Sequence, residues 1–196
     1  AAAVGSSAGG ERGGNGAATD STAAQAGGDV PAAAAAPSSR DVSGEGDVAT
    51  GQARVVDGDT LEIHGRTIRM HGIDAPESSQ TCRKPGGEVW RCGQAASFAL
   101  ADRIGRRTVS CAGTESDRYG RLLAVCRAGD EDLSAWMVQA GQAMAFVRYS
   151  RDYVGQEASA KAAGAGIWSG DFIAPWDWRK GGRLDRGTVE AVEAPK

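Results

Sequence analysis

Arg54 to Glu77 (RVVDGDTLEIHGRTIRMHGIDAPE) is the stretch that most restricts what this chain can fold into. Leu61-Glu62-Ile63 alternates apolar and polar residues, as a half-buried strand does. His64-Gly65 is a two-residue turn signal, and Arg66 to Ile73 returns as a second alternating run. The two runs predict a tight hairpin, which sets residues distant along the segment opposite one another. Four acids, Asp57, Asp59, Asp74 and Glu77, and one base, Arg69, are thereby crowded together. Carboxylates gathered in this way repel unless a cation binds between them or a proton is shared.

The rest of the chain divides by composition. Residues 1–50 are mostly Ala, Gly, Ser, Asp and Pro, with no aromatic residue. Such a segment buries too little apolar surface to offset the entropy of ordering, so a disordered tail or linker is expected there. All five Trp, three Phe and three Tyr fall within residues 51–183. Residues 51–180 are expected to form one domain with a single core, followed by a flexible tail over 181–196. The formal charge of −3 hides this division, because residues 51–183 carry 18 Lys+Arg against 16 Asp+Glu. A faintly basic domain neither demands nor excludes a polyanionic partner, so local placement has to decide.

The four cysteines, Cys82, Cys92, Cys111 and Cys126, form no C-x-x-C pair, and two histidines supply a zinc site poorly. Cys82 and Cys92 flank a Gly/Pro-rich loop, while Cys111 and Cys126 end two apolar runs. Cys82–Cys92 and Cys111–Cys126 are the simplest of three pairings and imply an oxidising compartment. The alternative is four reduced thiols in a cytosolic protein. No stretch is long and apolar enough to span a membrane as a helix.

Further along, Gly93 to Ile104 reads as a helix ended by Gly105. Arg107 to Cys111 and Arg121 to Arg127 read as strands, joined by the polar run Thr114 to Gly120. Asp130-Glu131-Asp132 supplies start chemistry for a helix over Leu133 to Ala140, stopped by Gly141. Ala143 to Arg148 reads as extended. Ser150 is the expected cap of a last helix from about Asp152 to Ala163, closed by Gly164. The strands are short and closely spaced, so a small barrel with packed helices fits better than a parallel sheet.

Asp59 and Asp74 are the best metal candidates, because hard oxygen ligands on adjacent strands suit Ca²⁺ or Mg²⁺. Pro76 fixes the backbone that would aim Glu77 at the same place. A carboxylate beside a metal-held water is a candidate general base. If Arg69 and Arg121 both reach this site, they form a pair of forks for a phosphate. The competing account is that each arginine neutralises an aspartate in a structural network, and spacing alone does not separate the two. His64 and His71 are expected to be solvated or packed rather than ligands. Trp136 and Trp168 fall on apolar faces and are expected in the core, with Trp176 and Trp178 packing onto the barrel.

VVDGDTLEI, RMHGIDAPE and DRYGR, in that order, resemble the thermonuclease family, whose type member is staphylococcal nuclease. The resemblance runs from about Arg54 to Trp168. It implies an OB-fold barrel of five strands carrying three helices, an α+β fold that is mainly β. It further implies that Asp59 and Asp74 hold Ca²⁺ together with the backbone carbonyl of Ala75, which stands where the type member has Thr. Arg69 and Arg121 match phosphate-gripping arginines, and Glu77 matches the carboxylate proposed to activate water. Tyr119 matches a tyrosine on the terminal phosphate of a bound nucleotide, and Arg118 stands where a Lys assists. Asp57 is expected beside the metal without ligating it. A further nucleotide-pocket tyrosine has Phe146 and Tyr149 as candidates. The loop between Cys82 and Cys92 resembles that of secreted bacterial homologues, and the hairpin turn is shorter than in the type member.

The expected function is therefore a Ca²⁺-dependent endonuclease acting on DNA and RNA, preferring single strands and leaving 3′-phosphate and 5′-hydroxyl ends. A monomer, secreted or held in the periplasm or at the cell surface, is expected. The alternatives are a non-catalytic OB module that binds nucleic acid or protein, and a surface protein tethered by its tail. Binding modules of this fold commonly lose the acids and arginines, all of which are present here.

Overall fold

Residues 47–184 are described by the structure, a computed structural model. Residues 1–46 of the tail expected over 1–50, and residues 185–196 of the tail expected over 181–196, lie outside the described residues. The chain is already in a strand at Asp47, within the segment that composition assigns to the tail. This strand, β1 (Asp47–Gly51), lies along the sheet edge, and its pairing uses backbone groups that composition does not register.

The predicted hairpin is present and extends to three strands, β2 (Arg54–Asp57), β3 (Thr60–Ile63) and β4 (Arg66–Met70). Ile63 pairs with Arg66 across the two-residue turn. His64 (φ 50°) and Gly65 (φ 80°) both adopt the left-handed conformation that such a turn needs. Short β5 (Ile73–Asp74) follows, then β6 (Cys82–Arg83) and β7 (Val89–Trp90), which pair with each other across the cysteine loop. Helix α1 (Cys92–Ile104) leads to β8 (Val109–Ser116), β9 (Leu122–Ala128) and β10 (Glu131–Asp132). β8 continues through Ser116, well into the run expected to be a polar connection, with a register shift between Ala112 and Glu115.

Helix α2 (Leu133–Gln139) is capped by Asp132, whose carboxylate accepts from the Ala135 amide. Only Met144–Ala145 of the next apolar run is a strand, β11. Helix α3 (Val154–Ala163) starts from Tyr153, next to the expected Asp152, and ends at Ala163 as expected, but Ser150 is not its cap; the Ser150 hydroxyl accepts from the Asp152 amide instead. A 3₁₀ turn (Gly166–Ser169) and the short helix α4 (Pro175–Arg179) complete the described chain.

The main sheet has the order β1-β8-β9-β4-β3-β2, with β10 on β9, and this hydrogen-bonded path does not close into a barrel. Its pairings are antiparallel except β4 with β9, which is parallel. That pair becomes possible because residues 71–121 form a crossover long enough to carry α1 and β8. The fold is α+β and dominated by strands, as expected. Among the described residues no helix is long and apolar enough to cross a membrane.

Strand alternation places Leu61, Ile63, Ile68, Met70, Leu122, Ala124 and Cys126 in one core, sealed by α1 and α2. Off-beat residues face the other way. Arg69 pairs with Leu123 in the parallel register, so Arg69 and Arg121 lie on the same face of the sheet. A second, smaller cluster gathers Cys82, Cys92, Met144, Ile167 and Ala174, flanked by Trp90, Trp168, Phe172 and Trp176. Trp168 therefore packs in this satellite core, edge-on to Phe172 at 4.9 Å. Trp136 lies under Arg103 at the margin of the main core.

Cys82–Cys92 and Cys111–Cys126 are both bonded, and the described residues include no free cysteine. Cys111 and Cys126 lie directly opposite each other on β8 and β9. Their bond closes a loop of 15 residues, for which restriction of the unfolded chain is worth about 3 kcal/mol. Replacing both by Ala is expected to lower the unfolding free energy by about that amount, read from urea denaturation. A thiol assay on the unfolded, unreduced protein is expected to find no free thiol.

Candidate active site

The tight turn between β2 and β3 sets the first carboxylate. The Asp57 side chain accepts from the Asp59 amide at 3.1 Å, an Asx-type turn that directs Asp59 inward just before β3. Asp59 is buried and accepts from the Ala75 amide at 2.8 Å. This bond ties the β3 end of the hairpin to the residue after β5. Asp74, on β5, is also buried; its backbone pairs with Met144 of β11. β11 is in turn pinned by the buried Glu157 of α3, which accepts from the Ala145 amide at 3.0 Å.

Arg69 joins the two carboxylates. One of its amino groups bonds Asp59, and the other donates to Asp74 at 2.8 Å. Burial works against its positive charge, but Asp59 and Asp74 outweigh that, and the guanidinium is held above its usual pKa. Asp59 goes the other way. Loss of solvent, reinforced by the charges of Asp57 and Asp74, pushes its pKa up to about 7 despite Arg69.

Glu77 is held through its backbone. Gly93, in the first turn of α1, lies so close that a Cβ there would fall 1.7 Å from the Glu77 carbonyl oxygen. Only glycine permits that approach. The Glu77 amide donates to the Gln80 side-chain oxygen at 3.2 Å, and the Gln80 amide group donates to the Ile173 carbonyl at 2.6 Å. Gln80 is wholly buried and locks the Glu77 loop onto the C-terminal segment.

That segment supplies a residue sequence reasoning missed. Arg179, the last residue of α4, donates to both oxygens of Asp74, at 3.0 and 2.6 Å, and to Glu77 at 2.6 Å. Desolvation opposes its charge, yet the bonds to Asp74 and Glu77 raise its pKa above the usual arginine value. Asp59, Asp74 and Glu77 are thus linked through two guanidiniums.

Arg121 is not joined to them. Its guanidinium bonds Asp117 at 2.7 Å and lies 5.6 Å from the centre of the Tyr119 ring. Asp117 shapes the whole DRYGR turn, accepting also from the amides of Tyr119 and Arg121. These bonds hold its carboxyl below the usual range although burial opposes them. Tyr119 is exposed; its hydroxyl takes a bond from Arg118, whose guanidinium also covers the ring. Tyr149 is exposed beside Phe146, ring centres 5.0 Å apart, and Phe146 stacks on Trp176 of α4. His64 lies in the hairpin turn, and His71 lies in the turn after β4 rather than on a strand.

Among the described residues no three acidic, His or Cys side chains converge as a ligand set. Asp59 and Asp74 are nonetheless buried oxygen donors, which is donor chemistry suited to a hard divalent cation. Ala75 contributes its amide to Asp59, so its backbone lies against the same carboxylate.

Residues 67–170, more than half of the chain, match the family described as staphylococcal nuclease homologue. The domain of that family is an OB-fold. The succinoglycan biosynthesis protein ExoI of Rhizobium meliloti is 34% identical over 134 residues, 64% of this chain and 68% of that protein. An uncharacterized endonuclease of Haemophilus influenzae is 34% identical over 111 residues, 55% of this chain and 57% of that protein. A micrococcal nuclease of Shigella flexneri is 34% identical over 122 residues, 55% of this chain and 64% of that protein. The chain spans less than two thirds of the length of the last two.

Replacing Arg69 by Met removes the cation shared by two buried carboxylates. It is expected to cost about 3–5 kcal/mol of unfolding free energy, the range for breaking a buried ion pair from one side. Urea denaturation in chelator is the measurement, and a loss below about 1 kcal/mol would show that this bridge is not structural.

Proposed function

The chain belongs to the staphylococcal nuclease homologues, and on that premise we propose that it is an endonuclease hydrolysing phosphodiester bonds of DNA and RNA with the help of Ca²⁺. The observation that carries this reading is the convergence of Asp59, Asp74 and Glu77 on shared guanidiniums at one end of the hairpin. Asp59 and Asp74, with the backbone carbonyl of Ala75, are the proposed cation ligands, and Asp57 supports Asp59 from the turn. Bound there, Ca²⁺ would supply positive charge for the scissile phosphate and lower the cost of deprotonating water.

The chain's own residues do the rest. Glu77 accepts the proton of the attacking water, and the water oxygen bonds to phosphorus as the bond to the 5′ oxygen breaks. That oxygen takes a proton from solvent water to become a 5′-hydroxyl, Glu77 returns its proton to solvent, and the phosphate stays on the 3′ end. Arg69 and Arg121 project from one face of the sheet and stabilise the charge gathering on the phosphoryl oxygens. Arg121 first exchanges Asp117 for phosphate. Arg118, Tyr119 and Tyr149 form the nucleotide-binding margin, where exposed rings stack on unpaired bases and favour single strands. Two disulfides support a secreted, periplasmic or cell-surface location, and the protein acts as a monomer.

The test is hydrolysis of single-stranded DNA in Ca²⁺ and in chelator, beside Glu77→Gln. Chelation is expected to abolish cleavage, and Glu77→Gln to slow it by about 10²–10⁴-fold. Cleavage indifferent to both would sink this mechanism. DNA retention without any cleavage would make the chain a binding module instead.

A further inference from the structure

Asp74 is wholly buried, yet it faces three guanidinium N–H groups. Arg69 supplies one from within the hairpin. The other two come from Arg179, whose fork covers both carboxylate oxygens and also reaches Glu77. A carboxylate held by a bidentate guanidinium offers little to a cation approaching from the same side. A cation seated there would also lie a few ångströms from a fixed positive charge.

Arg179 does not belong to the part of the chain that matches the family, which ends at residue 170. It is carried by a separate strap. The strap is attached by the Arg83–Asp171 bridge, by the Gln80 bond to Ile173, by buried Ala174 and by Trp176 stacked on Phe146, ring centres 5.7 Å apart. None of these attachments passes through the carboxylates. Arg179 itself is 41% exposed and stands at the end of a five-residue helix. Its side chain can leave Asp74 while the strap stays in place.

We propose that Arg179 is the residue that sets this chain's affinity for its divalent cation, the guanidinium and the cation competing for Asp74. The cation enters as the fork lets go, so Arg179 raises the concentration at which the site fills. This rests on Asp59 and Asp74 being the cation ligands.

Calorimetric titration of Ca²⁺ into the chelator-stripped full chain tests it, with Arg179→Ala, Arg179→Lys and Asp74→Asn alongside. Arg179→Ala is expected to bind Ca²⁺ about tenfold or more tightly, because charge-assisted hydrogen bonds no longer have to break. Arg179→Lys, a point charge without a fork, should fall between it and the parent. Binding seen only in the variants would be the extreme form of the same result. Equal or weaker binding in Arg179→Ala overturns the inference, and the cation site stands if the parent binds while Asp74→Asn does not. No binding by the parent or by either Arg179 variant sinks the cation site itself. If Arg179→Ala does not fold, Arg179→Lys decides: tighter binding than the parent supports competition, and equal or weaker binding overturns it.

Discussion

The Arg69 guanidinium between Asp59 and Asp74 is the interaction on which the rest of the site depends. These three residues come from the turn before β3, from β4 and from β5, so one side chain fastens the hairpin to the segment that follows it. Two buried carboxylates of like charge would otherwise drive those segments apart. The bridge is possible because β4 alternates: Ile68 and Met70 enter the core, and Arg69, between them, has to face the other way. The core pattern that stabilises the sheet thus also aims the charge.

Around this bridge the fold supplies positions rather than additional stabilisation. Gly93 lets α1 press against the Glu77 backbone, and buried Gln80 connects that loop to Ile173. Glu157, a buried acid far along the chain, accepts from Ala145 and so steadies the strand paired with Asp74. Buried polar groups of this kind cost free energy unless they are satisfied, and each of these has its partner. Several elements therefore converge on two short strand ends.

Much of this was legible in the amino-acid order. The β3–β4 hairpin, its His64-Gly65 turn and the gathering of Asp59, Asp74 and Arg69 follow from period-two alternation and turn chemistry, and α1 and α2 from helix start and stop residues, all of which are local. The parallel pairing of β4 with β9 was not legible, because it depends on a crossover of about fifty residues whose path no local pattern records. β1 was missed because its register with β8 is made by backbone groups. Ser150 has the residue type and position of a cap, but its hydroxyl is taken by a local partner, the Asp152 amide. Arg179 was invisible for another reason. It lies among Gly, Arg and acidic residues that read as a fraying end, and its partners Asp74 and Glu77 are more than a hundred positions earlier. A hint was present in Trp176 and Trp178, since large apolar rings near a terminus need something to pack on.

The separate satellite core has a consequence for how the molecule comes apart. Main-sheet residues bury their side chains in one apolar cluster, while Met144, Ile167, Ala174 and the Cys82–Cys92 bond form another. Proteins open in cooperative units whose opening free energies follow such divisions. The small unit buries far fewer residues than the sheet, so on this basis it is the one expected to open at lower free energy. Asp59 belongs to the sheet, but the guanidinium on Asp74 and Glu77 rides on the unit that opens first. Asp74 also pairs through its backbone with Met144 of that unit, so its guanidinium and part of its backbone support are released together.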